Sequence, residues 1–264
     1  MIKYLFIIRN TFEEYFIYRI NFLFWRLRNI LGLLTGYFFI KVVFGQEKIL
    51  YGYDLEKILT YIFSVSVLRA VIFSSRVADL AGVIQTGDLT NLLLKPISTL
   101  RYYFSRDLAD KVLNISFSLL ELGVIIYLLK PPFFLQKNLF SLILFIFSAG
   151  LALLLYFFIN FLLSLIGFWT PEVWAPQFLF GILLNFFSGG LIPLDVLPKP
   201  VQFVFQVTPF PYLLFNPMTV YLGKSSLLTA LGMILISLVW IGIFYFLVRR
   251  VWQKGLLIYQ AEGR

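Results

Sequence analysis

Gly223-Lys224-Ser225 invites a phosphate-binding reading, because a glycine-rich turn followed by Lys and Ser can wrap and neutralise the phosphates of a nucleotide. That chemistry needs a further glycine five residues before Gly223, and the position holds Met218. No buried strand precedes it either, so the match is read as accidental. Ser148 and Ser188 lack the pair of flanking glycines of a nucleophile elbow, since neither has one two residues before it. The chain contains no cysteine and no histidine, which removes disulfides, Cys/His metal sites, thiol nucleophiles and imidazole acid–base catalysis. Among the acids, Glu121 lies well inside an apolar run. It could be a proton or substrate site, or a carboxylic acid hydrogen-bonded to a neighbouring helix, with Arg69 as a conceivable partner. Asp195 is the other acid to weigh for chemistry on a lipid. The rest are scattered and suggest no catalytic pair. No catalytic residue, metal ligand or cofactor of its own is expected in this chain.

The elements that must carry these residues follow from composition. Of 264 residues, 60% are hydrophobic and 13% charged, against about 45–50% and about 25% in a soluble domain. So little charge cannot cover a water-facing surface, and a bilayer is the natural solvent. In that setting a net charge of +9 reflects loops facing an anionic leaflet rather than nucleic-acid binding.

Residues 1–22 carry Lys3, Asn10, Glu14 and Asn21 at spacings of seven and four, one face of a helix. This suits an amphipathic helix lying in the interface, or an N-terminal extension of the first span. Arg9, Glu13 and Glu14 interrupt the apolar run, so no signal peptide is expected. Apolar runs at 23–44, 58–75, 110–129, 139–168, 173–191 and 226–248 predict six transmembrane helices. Arg26 and Arg28, at the start of the first span, can snorkel to its edge. Gly32 and Gly36 form a GxxxG that lets another helix approach closely, although glycine is also simply common in membrane helices. Residues 45–57 form a polar loop, and 76–111 a charged connector. Segment 188–217 holds Gly189, Gly190, Pro193, Pro198, Pro200 and Pro209. Pro198 and Pro200 can start a helix and Pro209 stop one; the stretch between them is too short to span, and its apolarity predicts a re-entrant segment. The fold class is therefore an all-α membrane protein. It has six spans, an N-terminal interfacial helix and a short re-entrant segment before the last span, in one domain over 1–264.

Six spans place both termini and the 76–111 connector on one side, with fourteen Lys/Arg there against seven opposite. The positive-inside rule makes that side the cytoplasm and the 188–217 segment outer.

Three stretches carry a family resemblance: GDLTNLLLKPIS in the connector, SGGLIPLDVLPKPVQFVFQVTPFPY before the last span, and a tail with Trp252, Lys254-Gly255, Tyr259 and Gly263. In their order and six-span setting the chain resembles an ABC-2 type permease of the branch related to daunorubicin-resistance permeases. The resemblance implies a multi-pass subunit of a prokaryotic inner membrane. It would pair with a second permease, itself or a sibling, and bind ATP-binding cassette ATPase subunits that hold the ATP and Mg. Coupling would fall to Gly87, Asp88, Leu89, Leu92, Leu93, Leu94, Lys95 and Pro96, with Glu13 and Glu14 as a second contact. Their own chemistry fits. Gly87 can break the chain, Asp88 can cap a helix, Leu89, Leu92 and Leu93 share a face, and Pro96 can stop it. An interfacial helix binding only lipid headgroups would use the same residues. The function implied is ATP-driven export of an amphipathic cargo. The alternatives are a membrane-embedded lipid-modifying enzyme and an ion-driven secondary transporter.

Overall fold

A computed structural model describes residues 2–17, 19–45, 49–50, 52–170 and 172–259. Lys48 of the polar loop, and Gly263 and Arg264 of the tail, lie outside the described residues. Helix α1 (Ile2–Ile17) precedes α2 (Arg19–Phe44), and a two-residue antiparallel pair, β1 (Ile49–Leu50) with β2 (Tyr53–Asp54), turns the chain into α3 (Leu55–Ile72). Two short helices follow, α4 (Asp79–Gln85) and α5 (Leu89–Leu93), then α6 (Thr99–Leu129) and α7 (Leu139–Ser164). After α8 (Trp174–Phe187) come the short α9 (Lys199–Gln206) and α10 (Phe215–Tyr221), and finally α11 (Leu227–Ile258).

Among the described residues, five helical segments are long and apolar enough to cross a bilayer, those of α2, α3, α6, α7 and α11. The chain is thus a multi-pass all-α membrane protein. The run expected as a fifth span, 173–191, forms α8, whose 14 residues reach about 21 Å at ~1.5 Å each, short of the ~30 Å hydrocarbon layer. It stops at Ser188-Gly189-Gly190. Gly189 takes a left-handed φ of 80°, and a Cβ there would lie 2.8 Å from the Tyr61 hydroxyl and 3.0 Å from Phe215 Cβ. No side chain fits that corner.

Side chains close some of the helix starts. Asp54 accepts from the Lys57 amide at 2.7 Å to begin α3, and Asn138 accepts from the Phe140 and Ser141 amides to begin α7. Lys130, left-handed at φ 44°, ends α6 directly before Pro131-Pro132. Two expected boundaries are corrected. Helix α6 begins at Thr99, so the last third of the 76–111 connector is helical; α11 runs to Ile258, so much of the tail after 248 is helical too. Charges suggest those ends, but a helix carries them where they are paired, as Arg106 and Lys111 are, or where they lie over a ring of the same helix, as Arg249 and Arg250 do over Tyr245 and Phe246. Each further residue adds a backbone bond to a helix already nucleated.

Helix α7 lies at the centre, packed by α11, α10 and α3, while α2 pairs with α3 and α1 lies along α6. Leu5, Phe6 and Ile17 of α1 face outward, whereas Lys3 donates to the Pro96 carbonyl at 2.5 Å and Glu14 pairs with Arg106 at 2.8 Å. Lys3 and Glu14 thus tie α1 to the protein, while Leu5, Phe6 and Ile17 are free for lipid. A turn after α7 presses on α4. A Cβ on Gly167 would lie 2.9 Å from the Ala81 carbonyl oxygen, an atom that cannot swing aside. Gly167→Val is expected to destabilise the protein by about 1–3 kcal/mol, measured by thermal unfolding in detergent. Gly150→Ala, which faces open space, is expected to stay within about 0.5 kcal/mol.

Candidate functional site

The connector between α3 and α6 is where the sequence concentrates charge, and its geometry starts from a problem. Helix α3 ends inside the protein, so its last carbonyls need donors. Helix α6 supplies them. Lys111 Nζ donates to the Ile72 carbonyl at 3.1 Å and also to that of Ser74, and the Tyr156 hydroxyl of α7 donates to Phe73 at 3.1 Å. Asp107 accepts from the Ser75 hydroxyl and the Arg76 amide, both at 2.8 Å, and lies 3.7 Å from Lys111. Asp110 accepts from the Ser74 hydroxyl and lies 3.7 Å from Arg76 Nε.

From this anchor the chain enters α4, whose Leu80, Ala81 and Ile84 are buried, and then turns at Gly87, φ 80°. Asp88 was expected to cap α5. Instead its carboxylate accepts from Thr86 Oγ1 at 2.7 Å and from Asn91 Nδ2 at 3.4 Å. The Thr90 amide donates to the Gly87 carbonyl at 3.2 Å and equally to the Tyr259 hydroxyl at 3.2 Å, and that hydroxyl itself donates to the Gly87 carbonyl at 2.6 Å. Tyr259, quoted above only as part of the tail, therefore braces a turn that its own Thr90–Gly87 backbone bond closes. Leu93 is also corrected. Leu89 and Leu92 point inward, whereas Leu93 is 44% and Leu94 80% exposed, because in so short a helix Leu93 falls about 100° past Leu92. Asp88, Lys95 and Pro96 are exposed as well.

Glu13 and Glu14 part company. Glu13 is exposed and pairs with Arg9 on its own helix at 2.9 Å. Glu14 is taken by Arg106, which also lies 3.4 Å from Asp79, so it stitches α1 to α6 and α4. Glu121 meets Arg26, not Arg69. The Arg26 guanidinium donates to Glu121 at 3.3 Å, Ser118 at 3.1 Å and Asn114 at 2.5 Å, with both charged side chains buried. Arg26 therefore does not snorkel to water. Asp107, Asp110, Lys111, Asn114, Ser118 and Glu121 lie on one face of α6, a stripe visible in the sequence as polar residues recurring every three or four.

At the far end of α3, the elements around 188–217 fold onto the protein. Tyr61 donates to the Gly189 carbonyl at 2.7 Å, and the Phe215 amide donates to Ser188. A Cβ on Gly190 would lie 2.9 Å from the Asn185 carbonyl oxygen. Pro193 is buried, Pro198 and Pro200 open α9, and Pro209 opens the turn before Tyr212. Asp195 is engaged rather than free: Tyr53 donates to it at 2.9 Å, and Lys224 pairs with it at 2.5 Å while lying over the Tyr53 ring. Burial first, and then the Asp195 charge, push the Tyr53 phenol well above its usual value. Gly36 of α2 meets α3, where a Cβ would lie 2.9 Å from Ile62 Cγ2, and Gly32 lies beside Arg69.

A family model described as ABC-2 family transporter protein matches residues 30–263, from within α2 to past α11. No curated protein matches the chain.

Two outcomes follow from this geometry. Lys111→Met strips two carbonyls of their donor and leaves Asp107 without its cation, so a loss of about 3–5 kcal/mol is expected, with Lys111→Arg milder, both read from thermal unfolding. Because the folded Tyr53 pKa is raised, its contribution is complete below the unfolded value of about 10 and lost as pH rises beyond it. A fall in stability above that pH, smaller in Tyr53→Phe, is the expected titration.

Proposed function

Since the chain belongs to the ABC-2 transporter family, a family of membrane components of ABC transporters, we propose that it is the permease subunit of an exporter driven by a separate ATPase. The partner would hold the ATP and Mg. Two permeases, identical or sibling, would line the path between them. The exporter reading, and within the family the branch related to daunorubicin-resistance permeases, is supported by the GDLTNLLLKPIS stretch and the proline-rich segment before α11. On this reading α8 is a sixth, short span, and 188–217 enters the outer leaflet. The connector and both termini face the cytoplasm of a prokaryote, as the bias of Lys and Arg supports.

The observation that carries the docking assignment is the pairing of exposure with rigidity at α5. Leu93 and Leu94 are exposed, yet the helix bearing them is fixed from behind by Leu89, Leu92 and the Tyr259 hydroxyl. An apolar knob on a braced helix can enter a groove on a partner and transmit a push. Asp88, Lys95 and Pro96 would rim that contact, and Glu13, exposed on α1, would give a second one. A push on α5 would pass through Gly87 and α4 to Arg76, and there reach α3 and α6 together through Asp107 and Asp110. It would reach α11 through Tyr259. Movement of those helices against the second permease would open the path outward for an amphipathic cargo.

Purification of the tagged chain from its host membrane is expected to yield an ATPase in stoichiometric amount. Leu93→Asp and Leu94→Asp, both at exposed positions, are expected to cut that recovery about tenfold or to uncouple hydrolysis from transport, while the chain still inserts. Normal ATPase recovery and coupling in both variants would overturn the docking assignment.

A further inference from the structure

The helices α2 and α3 do not close completely. A cavity of 260 Å³ runs between them, lined by Phe39, Ile40 and Val43 on one side and Ile58 and Ile62 on the other. Gly32 leaves it open by offering no side chain, Gly36, which also lines it, lets α2 come against Ile62, and the loop after α8 covers one end near Pro193. Arg69 lines the other end, toward the connector. The volume falls below the ~300–1,000 Å³ of a drug-sized ligand site and suits one chain segment.

Among the described residues, Arg69 is the partly buried cation that no acid answers. Arg26 pairs with Glu121, Arg76 with Asp110, Arg106 with Glu14 and Asp79, Lys111 with Asp107, and Lys224 with Asp195. Among the described residues no carboxylate reaches Arg69, and the charge acting on it is the like charge of Arg28. A partly buried guanidinium at the end of an apolar groove in a membrane-spanning pair calls for an anion from outside the chain, one that brings its own apolar tail. We propose that the α2–α3 groove binds one anionic phospholipid, its acyl chain along Gly32 and Gly36 and its phosphate on Arg69 with Arg28 beside it. The site depends only on the membrane setting. It would exist whether the lipid is cargo or a resident of the bilayer.

The test uses the full chain, delipidated in detergent and offered phosphatidylglycerol or phosphatidylcholine of identical acyl chains, with retention read by native mass spectrometry. One phosphatidylglycerol per chain is expected to be held about tenfold more tightly than phosphatidylcholine, the scale of one charge-assisted contact. Arg69→Gln is expected to bring the two lipids to parity and Arg69→Lys to keep most of the preference. Gly32→Leu, which fills the groove beside the guanidinium, is expected to weaken retention of both. Arg250→Gln, at the exposed end of α11, is expected to leave the preference intact. Equal retention of the two lipids by the unaltered chain would overturn the site, as would a preference that survives Arg69→Gln or falls equally in Arg250→Gln. So would efficient disulfide crosslinking of two copies through Ser66→Cys with no lipid retained, since a second chain would then fill the groove.

Discussion

The capping of α3 by α6 is the interaction on which the rest of the structure depends. Three consecutive carbonyls, those of Ile72, Phe73 and Ser74, end a helix away from water and take their donors from Lys111 and Tyr156. A buried carbonyl without a donor is costly, and so is a buried lysine without an acid. Each solves the other's problem here, and Asp107 completes the set by holding the first turn of the connector through the Ser75 hydroxyl and the Arg76 amide. The exit of α3, the register of α6 and the starting direction of α4 are therefore fixed by one group of atoms. In a membrane protein, where apolar packing alone gives helices little reason to choose a register, such a polar junction supplies the specificity.

Much of the fold was legible because a bilayer makes simple demands. Long apolar runs predicted α2, α3, α6, α7 and α11, and Gly189-Gly190 marked the end of α8. Their outer limits were not legible. Arg101, Arg106 and Lys111 read as loop, and Arg249 and Arg250 as tail, because a charge near a membrane edge usually marks one. For α6, what reverses that reading is pairing across the chain, whereas Arg249 and Arg250 lie over Tyr245 and Phe246 of their own helix. Arg106 meets Glu14, 92 positions away, and no local pattern announces such a meeting. The α6 stripe lies between these cases. Its spacing is present in the sequence, but spacing does not choose a partner: Arg69 is the conceivable one from the sequence, whereas Glu121 meets Arg26, which lies on another helix and is expected at the interface.

The coupling segment shows the same division. Gly87 as a break and Pro96 as a stop follow from backbone rules that hold anywhere. Which leucines face out does not. Leu89, Leu92 and Leu93 are close enough on a helical wheel for any pair to form the inner face, and the choice is made by what lies behind them. Tyr259 lies behind the turn, and its role could not be read from spacing, since Gly87 and Tyr259 are 172 positions apart.

That separation has a consequence in time. A ribosome adding about 5–20 residues per second needs about 10–30 s to travel from Gly87 to Tyr259. Until then the Gly87 carbonyl and the Thr90 amide have only their bond to each other and lack the hydroxyl that braces it, even if α2 and α3 are already in the bilayer. The surface borne by α5 is thus finished by the last helix to be made, and a stalled chain carries its leucines on a turn without its clasp. Completion of synthesis is in this way written into the shape of a segment that was made in the first half of the chain.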